Sequence, residues 1–168
     1  MSCLGKCRLQ GAFKRLRIPI SDPTTTESLD NFRKGNELER SLLEKLISGG
    51  KNLSHTVVSG GQARVKLLTR GILLSGSPDG FEEQKTIVEI KSASQRVFTR
   101  WRRQGMAAVR PAYLAQVHAY MAGTGIWKTE VWVANRDRKD QTQLTDKDIL
   151  KEEVDFDLEY WEAIVQQW

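Results

Sequence analysis

Apolar side chains recur at helical spacing between residues 29 and 48. At ~100° per residue, Phe32, Leu38, Leu42, Leu43 and Leu46 fall on one stripe, and Gly49-Gly50 ends the run. The preceding SDPTTTES, residues 21–28, is a loop whose Ser and Thr side chains can cap that helix. Residues 1–20 hold a short basic helix ended near Pro19. Residues 53–58, 63–69 and 71–76 are short β-branched or Leu-rich runs punctuated by Gly60-Gly61 and Gly71, which is the pattern of strands. TIVEIKS, residues 86–92, is a further strand. Residues 94–109 read either as a helix or as an Arg-rich loop. Pro111 suits the first turn of a helix that runs to about Ala122 and stops at Gly123 and Gly125. IWKTEVWVA, residues 126–134, is a strand, NRDRKDQT is a polar turn, and residues 145–151 and 157–167 are expected to be helical. Helix, three or four strands, helix, strand, helix is the order of a mixed α/β domain.

At 168 residues, with 39% hydrophobic and 28% charged side chains, the chain is long and apolar enough for one folded domain with its own core. It divides into a basic N-terminal segment and loop (1–28), a core (29–134) and an acidic, helical C-terminal segment (135–168). No apolar run approaches the ~20 residues that span a bilayer, and the N-terminus has no apolar signal region, so a cytoplasmic location is expected and no membrane partner. Cys3 and Cys7 are the two cysteines, too few for a disulfide framework or a four-thiolate metal site.

The net charge of +5 conceals a segregation. Residues 1–21 carry Lys6, Arg8, Lys14, Arg15 and Arg17 without an acid. Residues 90–129 carry Lys91, Arg96, Arg100, Arg102, Arg103, Arg110 and Lys128, also without an acid. Residues 152–168 carry Glu152, Glu153, Asp155, Asp157, Glu159 and Glu162 without a base. Two basic blocks of this kind suit either a face for a polyanion or an unevenly charged solvated surface.

The chemistry concentrates at Ser77-Pro78-Asp79-Gly80 and Ile87-Val88-Glu89-Ile90-Lys91. Alternation along a strand puts Glu89 and Lys91 on one face and Val88 and Ile90 on the other. Pro-Asp-Gly is turn chemistry, and a hairpin between the strand before it and the strand after it would bring Asp79 near Glu89. Two carboxylates suit a hard divalent cation such as Mg²⁺, and a lysine beside them can orient or deprotonate a water or neutralise developing negative charge. A surface Glu/Lys pair on an ordinary hairpin has the same local pattern.

Glu39 lies in the middle of the apolar stripe of the first helix, whereas Arg33, Glu37, Arg40, Ser41, Glu44 and Lys45 lie outside it. A carboxylate on a core-facing side is costly unless it is paired or bound to a metal, so Glu39 either joins the site, pairs with an Arg or reaches the rim. Gly35, one turn earlier, leaves room for another element to approach. In the helix 111–122, Leu114, Val117 and Met121 form one stripe and Ala115, Ala119 and Ala122 another. Tyr113, Gln116 and Tyr120 share the remaining side, either aimed into a site or serving as core with polar tips. His118, beside the Leu stripe, reads as structural.

In chain order, Gly35-x-x-x-Glu39, Asp79, Glu89-x-Lys91 and Gln116-x-x-x-Tyr120 resemble the PD-(D/E)xK nuclease superfamily. The Gln-x-x-x-Tyr element resembles its RecB-type branch, which includes λ-exonuclease-like phage enzymes. The resemblance spans about residues 30–134. It implies a restriction-endonuclease-like αβββαβ core with a mixed central sheet flanked by helices. It implies that Glu39, Asp79, Glu89 and the Ile90 carbonyl bind Mg²⁺ or Mn²⁺, that Lys91 handles the nucleophilic water, and that Gln116 and Tyr120 position the catalytic groups and DNA. The activity implied is a metal-dependent DNA exonuclease in recombination, repair or phage DNA processing; a site-specific or structure-specific endonuclease and a non-catalytic DNA-binding subunit are the alternatives. Many relatives have His at the position of Glu39, and others an acid. Some carry an iron–sulfur cluster with one cysteine before the core and three after it; here both cysteines precede the core, and no cluster is expected. In such a nuclease Arg96, Arg100, Arg102, Arg103 and Arg110 would clamp phosphates, Trp101 would stack on an unpaired base, and Tyr113 would face the DNA. The sequence has no Gly-x-x-x-x-Gly-Lys-Ser/Thr loop, so a helicase or recombination partner would come from another chain. Oligomeric state is left open.

Overall fold

The computed structural model describes residues 25–138 and 143–167. The expected basic helix over residues 1–20, with Cys3 and Cys7, lies outside them. The first helix, α1 (Thr26–Ser48), is capped by the Thr25 side chain, which accepts the Ser28 N–H at 3.2 Å. It buries Gly35, Leu38, Leu42, Leu43 and Leu46, each leucine contributing about 1.5–3 kcal/mol on full burial. Phe32, expected on that stripe, is instead exposed and outside the core cluster that the α1 leucines join.

The strands are β1 (Leu53–Ser54), β2 (Val65–Thr69), β3 (Ile72–Gly76), β4 (Gly80–Glu82) and β5 (Thr86–Ala93). After them come α2 (Gln95–Val109), α3 (Pro111–Thr124), β6 (Lys128–Asn135), β7 (Ile149–Asp155) and α4 (Leu158–Gln166), with a short 3₁₀ turn at Asp146–Asp148. The central sheet has the order β1-β4-β5-β6-β7; only the β5–β6 pairing is parallel. A parallel pair needs a crossover, and α2 with α3 supply it. The leucines of α1 pack with Val88 and Ile90 on one face of the sheet. Phe98, Trp101 and Met106 of α2, Val117 and Tyr120 of α3, and Ile87 pack on the other. The expected mixed α/β architecture, a sheet flanked by helices, is the one observed.

Four expectations change. β2 and β3 form their own two-stranded sheet, joined by the tight Arg70-Gly71 turn with both residues at positive φ. This hairpin packs on α3, where Gly123 leaves Val65 its place: a Cβ there would sit 2.6 Å from the valine. The hairpin that carries Asp79 is consequently β4–β5, not a pairing of the strand before Pro78; it turns at Glu83-Gln84, both at positive φ. Of the strand expected over 53–58, Leu53–Ser54 forms, because from His55 the chain turns and the Thr56 and Ser59 side chains close a local hydrogen-bonded loop. Residues 149–151 belong to β7 rather than to a helix. Their side chains alternate along an edge strand, with Lys151 on Glu130 and Glu152 pointing inward to α2.

Of residues 94–109, Gln95–Val109 form the helix α2, with a break at Gly105 (φ 75°, ψ 170°). The break frees the Met106 N–H, and Glu152 of β7 accepts it at 3.0 Å while accepting the Trp101 indole N–H at 2.5 Å. Gly105 suits this position because a positive φ costs it nothing. His118 is structural as read: buried, it donates Nδ1–H to the Leu114 carbonyl and accepts the Asp157 N–H at Nε2.

Candidate active site

The site forms where β4 parts from β5. The two pair as far as Gly80↔Val88; upstream the chain turns away at Pro78, which has no N–H to give. Asp79 continues the ladder in another way. Its N–H donates to the Val88 carbonyl at 3.1 Å, and its Oδ2 accepts the Ile90 N–H at 2.7 Å. The carboxylate thus takes the rung that the departing backbone leaves empty. Gly80 packs closely beside it: a Cβ there would stand 3.0 Å from Thr56 Cγ2.

β5 sends Glu89 and Lys91 to the α3 side, as alternation predicts. Lys91 Nζ lies 2.5 Å from Glu89 Oε1 and 5.3 Å from the centre of the Tyr113 ring. Gln116 donates to the same Glu89 oxygen at 3.1 Å and to the Tyr120 hydroxyl at 2.9 Å, and that hydroxyl donates to the Ser77 carbonyl at 3.2 Å. One chain of hydrogen bonds therefore links Ser77, next to Pro78-Asp79, to Glu89 through the helix. Glu39 approaches from α1 on the other side and accepts the Ser92 N–H at 3.0 Å. Gly35 permits this approach: a Cβ there would lie 2.9 Å from Ser92 Oγ. A cleft of about 450 Å³ lies against Glu39 and Asp79, lined also by Asn36, Val57, Gln62 and Ile90.

The electrostatics are those of a site crowded with negative charge. Burial pushes the Glu89 carboxyl up to about 7, with Asp79 and Glu39 adding to the rise and Lys91 opposing it. Burial likewise raises Asp79, against the pull of Lys91 and the Ile90 N–H, and raises Glu39, against Lys91 and with Asp79. Burial works against the Lys91 charge, but Glu89 and Asp79 more than offset it and hold the ammonium protonated. Burial and the Glu89 charge keep Tyr120 a neutral phenol.

A divalent cation fits this donor set. Glu89 is 2% exposed, and its Oε2 is a buried carboxylate oxygen with no hydrogen-bond partner among the described residues. Carboxylate oxygens are the ligands hard cations take, and a cation would relieve the mutual repulsion of the three acids. Among the described residues no three His, Cys, Asp or Glu side chains close on one point as a finished cage.

The Arg-rich segment distributes differently from the expectation. Trp101 is 1% exposed, packed on Tyr113 and bonded to Glu152, so it cannot stack on a base. Arg102 donates to the Lys147 carbonyl at 2.8 Å and lies over the Phe98 ring. Arg96, Arg100 and Arg103, at i, i+4 and i+7, share one exposed face of α2, and Arg110 is exposed at the start of α3. Tyr113 is half-buried against Lys91.

Three participants escape the sequence reading. Gln62 donates to Asp79 Oδ1 at 3.2 Å from the loop between β1 and β2, Ser92 supplies the N–H that holds Glu39, and Glu152 anchors α2. None has a local signal; each meets its partner across a distance in sequence that only the sheet topology closes.

No family model matches the sequence, and no curated protein matches it. Solved structures do. An alkaline exonuclease from Laribacter hongkongensis superposes with a TM-score of 0.64 at 17% identity, over 99% of this chain and 80% of that one. The same enzyme in complex with dAMP gives 0.61 at 18%, over 99% and 78%. A phage-related exonuclease from Haemophilus somnus 129PT gives 0.59 at 16%, over 94% and 73%. The chain therefore has the fold of alkaline and phage-related exonucleases, the fold that its resemblance to PD-(D/E)xK nucleases implies.

Proposed function

We propose that the chain is a divalent-metal-dependent deoxyribonuclease that degrades DNA from an end. The observation that carries the reading is the state of Glu89: one oxygen clamped by Lys91 and Gln116, the other buried and unpartnered, with Asp79 locked onto the adjoining backbone. Asp79, Glu89 and the Ile90 carbonyl would hold Mg²⁺ or Mn²⁺, with Glu39 completing the set. The metal supplies Lewis acidity at the phosphate and a water of lowered pKa.

The chain's own residues do the rest. Lys91, held protonated, is a charge-stabilising donor toward the phosphate rather than a base. Gln116 and Tyr120 hold the Glu89 carboxylate in place through the tie to Ser77. Arg96, Arg100 and Arg103 on one exposed face of α2, with Arg110, would contact a phosphate backbone. The likeness in fold to alkaline and phage-related exonucleases supports an exonuclease over an endonuclease.

The test compares linear with covalently closed circular duplex DNA in Mg²⁺, Mn²⁺ or EDTA. Linear DNA shortened from its ends while circles stay closed, with no loss in EDTA, is expected. Opening of circles would make the protein an endonuclease, and binding without cleavage a non-catalytic subunit.

A further inference from the structure

The loop between β1 and β2 is fastened at both ends. Thr56 is fully buried; its side chain and backbone bond Ser59, and its carbonyl accepts the Gly61 N–H at 3.2 Å. Its methyl rests against Gly80, the residue after Asp79. At the far end Val65 is packed against α3. Between these anchors the loop lays Val57 and Gln62 along the wall of the cleft, and Gln62 Nε2 donates to Asp79 Oδ1 at 3.2 Å. The other Asp79 oxygen is taken by the Ile90 N–H, so two donors from different elements fix the plane of this carboxylate. Without Gln62, one N–H would remain, and the carboxyl group could rotate about its last bond.

Building on the nuclease reading above, we infer that Gln62 is a positioning residue that presets the Asp79 carboxylate for a divalent cation. A carboxylate oxygen has two acceptor sites, so Oδ1 can keep the Gln62 N–H while it binds a metal. The contribution is preorganisation: a ligand already oriented loses less freedom when the cation arrives.

Calorimetric titration of Mn²⁺ into the EDTA-stripped and dialysed full chain tests this, beside a melting curve of each metal-free variant. Gln62→Ala and Gln62→Met, the second keeping length but not the donor, are expected to weaken Mn²⁺ binding by roughly three- to tenfold, the worth of one hydrogen bond. Their metal-free melting temperatures should match the wild type, because Gln62 is exposed and the loop is held by Thr56 and Val65. Val57→Ala, on the same wall, should leave Mn²⁺ affinity unchanged. Unchanged affinity in both Gln62 variants would overturn the inference while leaving the nuclease reading intact. A wild-type affinity in Gln62→Met with a loss in Gln62→Ala would also overturn it, by making the contact one of packing. Failure of the wild type itself to bind Mn²⁺ would overturn the metal reading and, with it, the role of Gln62.

Discussion

Glu39 on α1 holds the backbone of β5: its carboxylate accepts the Ser92 N–H at 3.0 Å, and no arginine pairs with it among the hydrogen bonds and ion pairs of the described residues. A glutamine amide oxygen can accept the same N–H without the cost of a buried charge. Glu39→Gln is therefore expected to melt at or above the wild-type temperature when metal-free, and to show a smaller stabilisation by Mn²⁺. Thermal unfolding with and without Mn²⁺ measures both. Destabilisation near the ~3–5 kcal/mol of a broken buried ion pair, with the Mn²⁺ response intact, would make Glu39 a scaffold residue.

The metal-free protein should lose stability as pH rises toward neutrality. Glu89 has a folded value of about 7 against an ordinary 4.5, so the folded state binds more protons between these values, and stability falls as pH climbs through that window. The size is on the order of 3 kcal/mol at one pKa unit per 1.36 kcal/mol. Asp79 and Glu39, also raised, add in the same direction; Lys91, raised, keeps its contribution constant until alkaline pH. Urea unfolding in EDTA from pH 5 to 8 should show the decline in the wild type and a flatter profile in Glu89→Gln. Parallel profiles would contradict the assignment.

Glu152 should matter for folding and not for DNA. Removing it strands the Trp101 indole N–H and the Met106 N–H in a buried setting, at roughly 1–3 kcal/mol for each unsatisfied donor. Glu152→Ala is expected to lower stability by about 2–4 kcal/mol in chemical denaturation. Trp101→Phe should leave affinity for single-stranded DNA within about twofold, well short of the ~1–3 kcal/mol of a stacked base.

Salt dependence separates the arginines. Each phosphate contact contributes about 0.9 to the slope of log K against log salt on duplex DNA. Replacing Arg96, Arg100 and Arg103 together by Ala should flatten that slope and weaken binding alike on all sequences. Arg102→Ala should change it less, since that guanidinium is spent on the Lys147 carbonyl. An unchanged slope in the triple variant would remove α2 from the DNA face.

What the sequence discloses is what a local period can carry. The α1 leucines, with Glu39 among them, follow from a helical repeat; Glu89 and Lys91 sharing a face follow from strand alternation; Pro111 and Gly125 bracket α3 by their backbone preferences. Trp101 misleads because basic neighbours on both sides suggest solvent, whereas a residue of α2 at i+3 from Phe98 shares its buried side. β7 misleads because an edge strand salted with Lys151, Glu152 and Glu153 has the composition of a solvated helix; its partners Glu130 and Trp101 lie on other elements. Gln62 has no repeat to reveal it, and its role depends on a loop folded back by Thr56.

The central claim is that Asp79, Glu89 and Lys91 form one metal-dependent hydrolytic site. End-labelled linear DNA incubated with wild type and with Asp79→Ala, Glu89→Ala and Lys91→Ala, each verified as folded by circular dichroism, tests it in Mg²⁺, Mn²⁺ and EDTA. The account predicts nucleotide release by the wild type with either metal, none in EDTA, and a loss of at least about a hundredfold in each variant, the scale of a lost electrostatic or acid–base contribution. Cleavage that persists in EDTA, or wild-type rates in any of the three variants, would contradict it.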